Sequence, residues 1–434
     1  MALSLGIAIT SCLIACTGKT PPAAPVVGQQ QGQARLSSEA PDLHAAHVLY
    51  SIDKPMIAAQ LGTAIRDNTF PETYDITITG QSLGQRTHVT YALNDSAQSK
   101  MQKLMRQYSP DYGAFVAMDA RTGRIISLVS FSNRPGEKQN LTLRATFPTA
   151  SIFKVVTASA AIDLNKAVPS TVVPFNGANH TLYKRNVSDT KITRWTRFMT
   201  MKEAFARSVN VFFGKLGVFY VGPDNLLRYA ERFLFNQPIR ADIPVQIGYA
   251  RFSSEDPWSV ATAASGFTRD NTMSPLQGAL IASAVANDGV MMEPYLVESL
   301  TSDSGEVLYK AEPRQASVVV EPKSAEELRE LFQQTVRSGT SRKSFRDAVR
   351  HNASEEVEFG GKTGSLTGLD PKGKVDWFVG YARYRGQRIA VAALTVNEKK
   401  WKVKSSMLAK LFFTQYLKEL KQQEVAAAAL PTHH

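Results

Sequence analysis

Strand patterns in this chain fall into two groups separated by a long helical excursion, and that interruption limits the folds open to it. Runs at 113–118 and 124–131 flank Asp119-Ala120-Arg121-Thr122-Gly123, which reads as a hairpin connection with Gly123 at a left-handed position. The next strand patterns come only at 357–365, 377–384 and 387–396, the last two joined through Arg385-Gly386. Between the groups, apolar periodicity predicts helices at 151–165, 201–216, 223–233, 275–287 and 324–337. A further helix from 405 to about 429 carries Met407, Leu411, Phe412 and Tyr416 on one stripe. A split strand set with helices at both ends predicts an α+β fold: a five-stranded antiparallel sheet flanked by helices, plus an all-helical lobe. The cleft between sheet edge and lobe is the natural site.

Ahead of that body, Asp95 reads as a helix cap, with Gln98 completing a capping box and Met101, Leu104 and Met105 on one face up to Tyr108. Residues 47–94 hold an alternating run at 48–52, a helix at 55–65 and strands at 74–78 and 88–93. That is too little for an independent core, so they are expected to form a small accessory α+β region. Residues 17–46 are rich in Pro, Ala, Gly, Gln and Ser and read as a flexible tether. The apolar run at 3–16 is too short to span a bilayer and is expected to be a processed leader.

The 434 residues, 43% hydrophobic and 20% charged, suit a substantial globular enzyme. The only cysteines are Cys12 and Cys16, so the folded body is expected to hold neither a disulfide nor a thiolate metal site. Seven histidines include the terminal His433-His434 pair and form no His-x-x-x-His array, which disfavours a metal hydrolase; no metal or cofactor is expected. Lys19 and Arg35 balance Glu39 and Asp42, so the net charge of +12 belongs to the body. The basic stretch 183–202, with Lys184, Arg185, Lys191, Arg194 and Arg197, could attract anionic polymer or lipid headgroups, or be an ordinary solvated surface. No nucleic-acid recognition module is present, and nucleic acid is not an expected partner.

Three short elements carry the chemistry. Ser151 follows Pro148 and opens a helix that places Lys154 one turn on, on the same face. An amine with a pKa of about 10.4 is a poor base until burial and a second cation lower it; a drop of ~3 units needs about 4 kcal/mol. Ser151 alone could be a plain helix cap, but Lys154 interrupts an apolar run from Ile152 to Val156, which favours a buried amine. Ser208 and Asn210 lie in an equally apolar setting and need partners: either local backbone, or a proton relay through Ser208 with Asn210 orienting substrate and Lys154. In Gly360-Gly361-Lys362-Thr363-Gly364-Ser365 the glycines allow a strand to approach a ligand closely. Ser151 N–H and Ser365 N–H are candidate oxyanion donors, and Lys362 with Thr363 and Ser365 would hold a substrate carboxylate. A glycine-loosened edge strand with a surface lysine is the alternative. The segment is not a phosphate loop, because the four-residue spacer of that motif is missing.

Ser151-x-x-Lys154, Ser208-x-Asn210 and Lys362-Thr363-Gly364, in this order, resemble the three motifs of the penicillin-binding transpeptidases and serine β-lactamases. The stretches 114–119, 274–277, 286–289 and 377–381 are similar to the transpeptidase branch, and the likeness runs from about Val89 to Val425. It implies a β-lactamase/transpeptidase-like fold at 95–425 and a D,D-transpeptidase that forms an acyl-enzyme on Ser151 with peptidoglycan stem peptides. β-Lactams would be covalent inhibitors and cell-wall assembly proteins possible partners. A D,D-carboxypeptidase, a non-turnover sensor and a serine β-lactamase are the alternatives. The lactamase is disfavoured because neither Glu231 nor Glu255 sits in a Glu-x-x-x-Asn arrangement and because the 154-residue separation of Ser208 from Lys362 along the chain is long for a compact lactamase. A bifunctional glycan polymerase is not expected, since too few residues precede the first core strand. One departure is Thr149-Ala150 before the nucleophile, where transpeptidases often have Pro-Gly. Leu13-Ile14-Ala15-Cys16 resembles a bacterial lipobox, though no Lys or Arg precedes the apolar run. It implies a leader at 1–15, lipidation at Cys16 and a tether at 16–46, with 426–434 as a tail. The body would then be anchored on the periplasmic side of a membrane, the outer membrane favoured because Thr17 replaces the Asp of inner-membrane retention.

Overall fold

A computed structural model describes residues 52–77, 84–189, 191–351 and 357–428. The expected leader, Cys16, the tether, the run at 48–51 and the end of the tail lie outside them.

Five strands form one antiparallel sheet in the order Glu358–Leu369, Lys372–Tyr384, Gln387–Asn397, Tyr112–Asp119 and Ile125–Ser132. The two hairpins expected from the sequence, one early and one late, turn where it places them, with Gly123 at φ 84° and Arg385 and Gly386 both at positive φ. Side chains alternate between two cores, as a pleated strand covered on both faces requires. Ala114, Val116, Met118, Trp377, Val379 and Tyr381 enter one, while Phe115, Ala117, Phe378, Ala382, Val391 and Ala393 enter the other. The first core continues into the helical lobe. Its base is the Pro275–Ala286 helix, every residue of which is buried, so a helix apolar all round lies against the sheet. The second core is closed by Asp95–Tyr108, Arg342–His351 and Ser405–Ala428.

Several expectations are corrected. The chain between the two strand groups is not free of strands: Val297–Ser302 and Val307–Lys310 join Thr73–Ile76 and Gln85–Tyr91 in a four-stranded sheet, and Val290–Met292 pairs with Gln315–Val318. The cap of the Asp95–Tyr108 helix is Asn94, whose side chain accepts from Ala97 N. Gln98 is no capping-box member; it is buried, donates to Leu128 O (2.9 Å) and accepts from Leu128 N (2.9 Å) and Ser127 Oγ (3.0 Å), tying helix to sheet. The helix expected at 201–216 is two, Met201–Ala206 and Asn210–Lys215, broken where Ser208 takes φ 57°. A left-handed residue cannot continue a right-handed helix. The Pro257–Ser265 and Arg342–His351 helices have no counterpart in the sequence reading.

Candidate active site

The helix start expected at Ser151 is a 3-10 turn, Ala150–Phe153, running into the Lys154–Asp163 α-helix. In a 3-10 turn, side chains three apart eclipse, which sets Ser151 and Lys154 face to face. The Lys154 amine lies 2.7 Å from Ser151 Oγ and 2.7 Å from Asn210 Oδ1, and donates to the Ser265 carbonyl. Two of these partners only accept; the third is a hydroxyl that can donate. A neutral amine, with two N–H groups and one lone pair, satisfies all three at once. Burial pushes the Lys154 pKa well below its ordinary value, and the charge of Lys362 pushes it further. An amine held neutral one hydrogen bond from the Ser151 hydroxyl is the result.

Lys362 is the second cation. It is fully buried, donates to Ser208 Oγ (2.9 Å) and Thr363 O (2.8 Å), and stands 5.4 Å from the centre of the Phe205 ring. Burial lowers its pKa to about 7. The broken helix explains how Ser208 reaches it: the left-handed turn at 208 aims one hydroxyl at Lys362 while Asn210 starts the next helix facing Lys154. Asn210 Nδ2 donates to His180 O (2.9 Å), so its amide orientation is fixed. Neither Ser208 nor Asn210 is a backbone-bonded local cap, and Ser151 makes no side-chain cap bond.

Glu358–Leu369 is the sheet's edge strand. Opposed residues share a face, so Lys362 and Gly364 lie with Val379 and Trp377, and Thr363 and Ser365 with Phe378 and Asp376. One face thus meets the nucleophile; the other presents hydroxyls. A Cβ on Gly364 would stand 3.3 Å from Ser151 N, a measure of how closely the strand passes the nucleophile's backbone. Ser365 is exposed to a cleft of about 750 Å³ that Ser151, Ser208, Asn210, Thr363 and Trp377 also line.

All seven residues expected at the site therefore converge, with Lys362 turned to Ser208 and only Thr363 and Ser365 on the hydroxyl face. Sequence reasoning missed four contributors. Ser265 supplies the carbonyl that holds Lys154, and Gly266, at φ 67°, lets that segment pass under Ala150, where a Cβ would meet Ala150 O. Thr340 bonds Thr363 across the cleft mouth. The His180 ring has its pKa lowered by burial and then by Lys154 and Lys362. Only Gly266 left a signal, as a glycine closing an Ala-rich run that starts at Asp256-Pro257.

Residues 113–417 match the model of the penicillin binding protein transpeptidase domain. The peptidoglycan D,D-transpeptidase PbpA of Mycolicibacterium smegmatis is 29% identical over 66% of this chain and 62% of its own length. The chain thus spans somewhat under two thirds of that relative. Among solved structures, the D,D-transpeptidase domain of a peptidoglycan glycosyltransferase from Eggerthella lenta superposes with a TM-score of 0.63 at 24% identity, covering 85% of this chain and 91% of that one. Penicillin-binding protein A from Mycobacterium tuberculosis, as an imipenem acyl-enzyme, gives 0.62 at 24% identity, covering 77% and 80%.

Proposed function

The chain belongs to the penicillin-binding protein transpeptidase family, and from that premise we propose that it is a D,D-transpeptidase acting on the D-alanyl-D-alanine ends of peptidoglycan stem peptides. Neutral Lys154 takes the Ser151 proton as Oγ attacks the penultimate D-alanine carbonyl. The Ser151 and Ser365 N–H groups stabilise the oxyanion, each worth ~3–4 kcal/mol. Ser208 passes the proton from the lysine pair to the leaving nitrogen, so the C–N bond breaks with D-alanine departing as an amine. Asn210 steadies Lys154 and the substrate amide; Lys362, Thr363 and Ser365 attract the terminal carboxylate. An acceptor amine then attacks the ester and frees Ser151. The observation that carries this reading is the 2.7 Å contact between Ser151 Oγ and a fully buried amine.

β-Lactams would acylate Ser151; penicillin-binding protein A from Mycobacterium tuberculosis forms an imipenem acyl-enzyme. Among the described residues the one carboxylate lining the cleft, Asp376, is engaged by Lys404 and by Ser405 N, which leaves no free carboxylate there to activate a deacylating water and speaks against a lactamase. Lipidation at Cys16 would hold the body on the periplasmic side of a bacterial membrane, the outer one favoured.

The test is labelling with a fluorescent penicillin, then reaction with a D-alanyl-D-alanine peptide with and without an acceptor amine. Stable labelling lost in Ser151→Ala, plus a cross-linked product, is expected. Free D-alanine alone would make it a carboxypeptidase, labelling without turnover a sensor, and rapid penicillin hydrolysis a lactamase. Undiminished labelling of Ser151→Ala would overturn the reading.

A further inference from the structure

Of the thirteen large apolar side chains exposed among the described residues, six lie between 168 and 198: Val168, Val172, Tyr183, Ile192, Trp195 and Phe198. Trp195 is 73% exposed and Ile192 68%. Five of them belong to one structural unit, a two-stranded ribbon and the excursion it encloses, and Val168 lies just ahead of it. Val172–Phe175 pairs with Arg197–Thr200, setting Val172 opposite Thr200 and Pro174 opposite Phe198. Val173, Phe175 and Met199 on the inner face are buried, whereas Val172 and Phe198 stand on the outer face in solvent. A ribbon apolar on both faces has an unpartnered side.

The same unit is strongly basic. Between 168 and 198 stand Lys184, Arg185, Lys191, Arg194 and Arg197 against a single acid, Asp189. Arg197 is committed inward, to Asn179 Oδ1 (2.7 Å) and over the Phe175 ring. Lys184, Arg185, Lys191 and Arg194 are exposed, and Asp189 is occupied by Lys191 N and Asn176 Nδ2. Arg194 stacks on Trp195 at 4.8 Å.

We propose that this face docks on the surface of an anionic phospholipid bilayer. Exposed aliphatic and aromatic side chains interspersed with exposed cations in one short stretch fit the headgroup boundary: the apolar tips enter the acyl region, Trp and Tyr sit at its edge, and Lys and Arg meet phosphates. A glycan would use the aromatic faces but gains little from Ile192, Val168 and Val172. A protein partner would not call for four exposed cations against one occupied acid in the same unit. Among the described residues no helix is long and apolar enough to cross a membrane, so contact with lipid would be interfacial. The consequence is positional. The backbone carbonyls of Asn179 and His180, inside this unit, accept from Asn210, so docking sets the cleft wall at the bilayer surface. This goes beyond the proposed reaction and stands without it.

The test uses the chain lacking residues 1–15 and carrying Cys16→Ser, so that neither leader nor acyl group contributes. Sedimentation with phosphatidylglycerol–phosphatidylethanolamine vesicles is compared with phosphatidylcholine vesicles. Binding to the anionic vesicles alone is expected, with a loss of about fivefold for each cation removed in Lys191→Gln and Arg194→Gln. Trp195→Ser with Phe198→Ser should cost about tenfold or more. Near-ultraviolet circular dichroism unchanged from the parent shows that each variant is folded. Equal partition onto neutral vesicles, variants that bind like the parent, or saturable binding to peptidoglycan or a soluble protein with none to vesicles would overturn the proposal.

Discussion

Lys362 offers the sharpest quantitative test, because its burial should cost stability at neutral pH. The folded pKa stands at about 7 against an ordinary 10.5, and burial is the cause. That difference corresponds to about 5 kcal/mol between the protonation states. Since the folded value is the lower one, the unfolded chain binds the extra proton between the two. The group's contribution is complete above 10.5 and is lost as pH falls to 7. Lys362→Met keeps the volume and removes the charge. It also forfeits the bonds to Ser208 Oγ and Thr363 O, each worth about 1 kcal/mol net. The balance makes the variant about 2 kcal/mol more stable than the parent at pH 7 and about 1 kcal/mol less stable at pH 10, with the curves crossing near pH ~9. Equilibrium urea denaturation followed by tryptophan fluorescence measures both ends. Acylation should meanwhile collapse, since the cation beside Lys154 is gone. A variant less stable than the parent at pH 7, or a difference that does not change with pH, would refute a desolvated amine at 362.

Penicillin acylation should follow a bell-shaped pH profile: it falls at low pH as Lys154 gains a proton and declines through about 7 as Lys362 loses one. A flat rate between pH ~5 and ~9 would contradict that. Gly266→Ala drives a Cβ into Ala150 O at φ 67°, so the turn carrying Ser151 must move. Acylation should drop about 100-fold or more with the sheet's circular dichroism unchanged; parental acylation would show that the turn tolerates the shift. Burial raises the pKa of Asp242 from 3.8 to about 6, although its carboxylate accepts from Leu296 N and Val297 N. Its contribution is present below 3.8 and lost as pH rises through 6, about 3 kcal/mol in all. Asp242→Asn should remove that slope from urea midpoints measured between pH ~4 and ~7; an unchanged slope would assign it elsewhere.

The five sheet strands were legible because each is long and concentrates apolar residues, and because three of their four pairings join consecutive strands; only Gln387–Asn397 with Tyr112–Asp119 is a distant pairing. The short strands were not. Val297–Ser302 buries only three of its six residues, and one of its partners, Gln85–Tyr91, lies some 200 residues earlier, where no local pattern announces it. Arg342–His351 failed for another reason: only Phe345 and Ala348 are buried, so the apolar stripe is two residues wide on a charged helix. Asn94 was passed over for Asp95, since both side chains can cap and only the backbone's extended conformation at 94 decides between them. At the site, residue types were legible and their assignments less so. Three-residue spacing brings Ser151 to Lys154 by covalent geometry alone. That Lys362 lies against Ser208 depends on a left-handed break in a segment whose periodicity reads as unbroken helix.

Ala150 shows how magnitudes settle a departure from the family pattern. It precedes the nucleophile at φ 47°, a conformation glycine adopts freely and alanine does not. The left-handed form costs an L-residue about 1–2 kcal/mol. Against that, Ala150 is fully buried, and its methyl contributes about 0.8 kcal/mol. Alanine also gives up about 0.5–1 kcal/mol less backbone entropy on folding than glycine. The terms nearly cancel, so Ala150→Gly should leave stability within about 0.5 kcal/mol of the parent. Kinetics should separate the two residues where stability does not. A glycine at 150 loosens the turn that aligns Ser151 with Lys154, so penicillin acylation should slow several-fold with its pH profile unmoved. A gain in acylation rate would show that the alanine strains Ser151 away from Lys154.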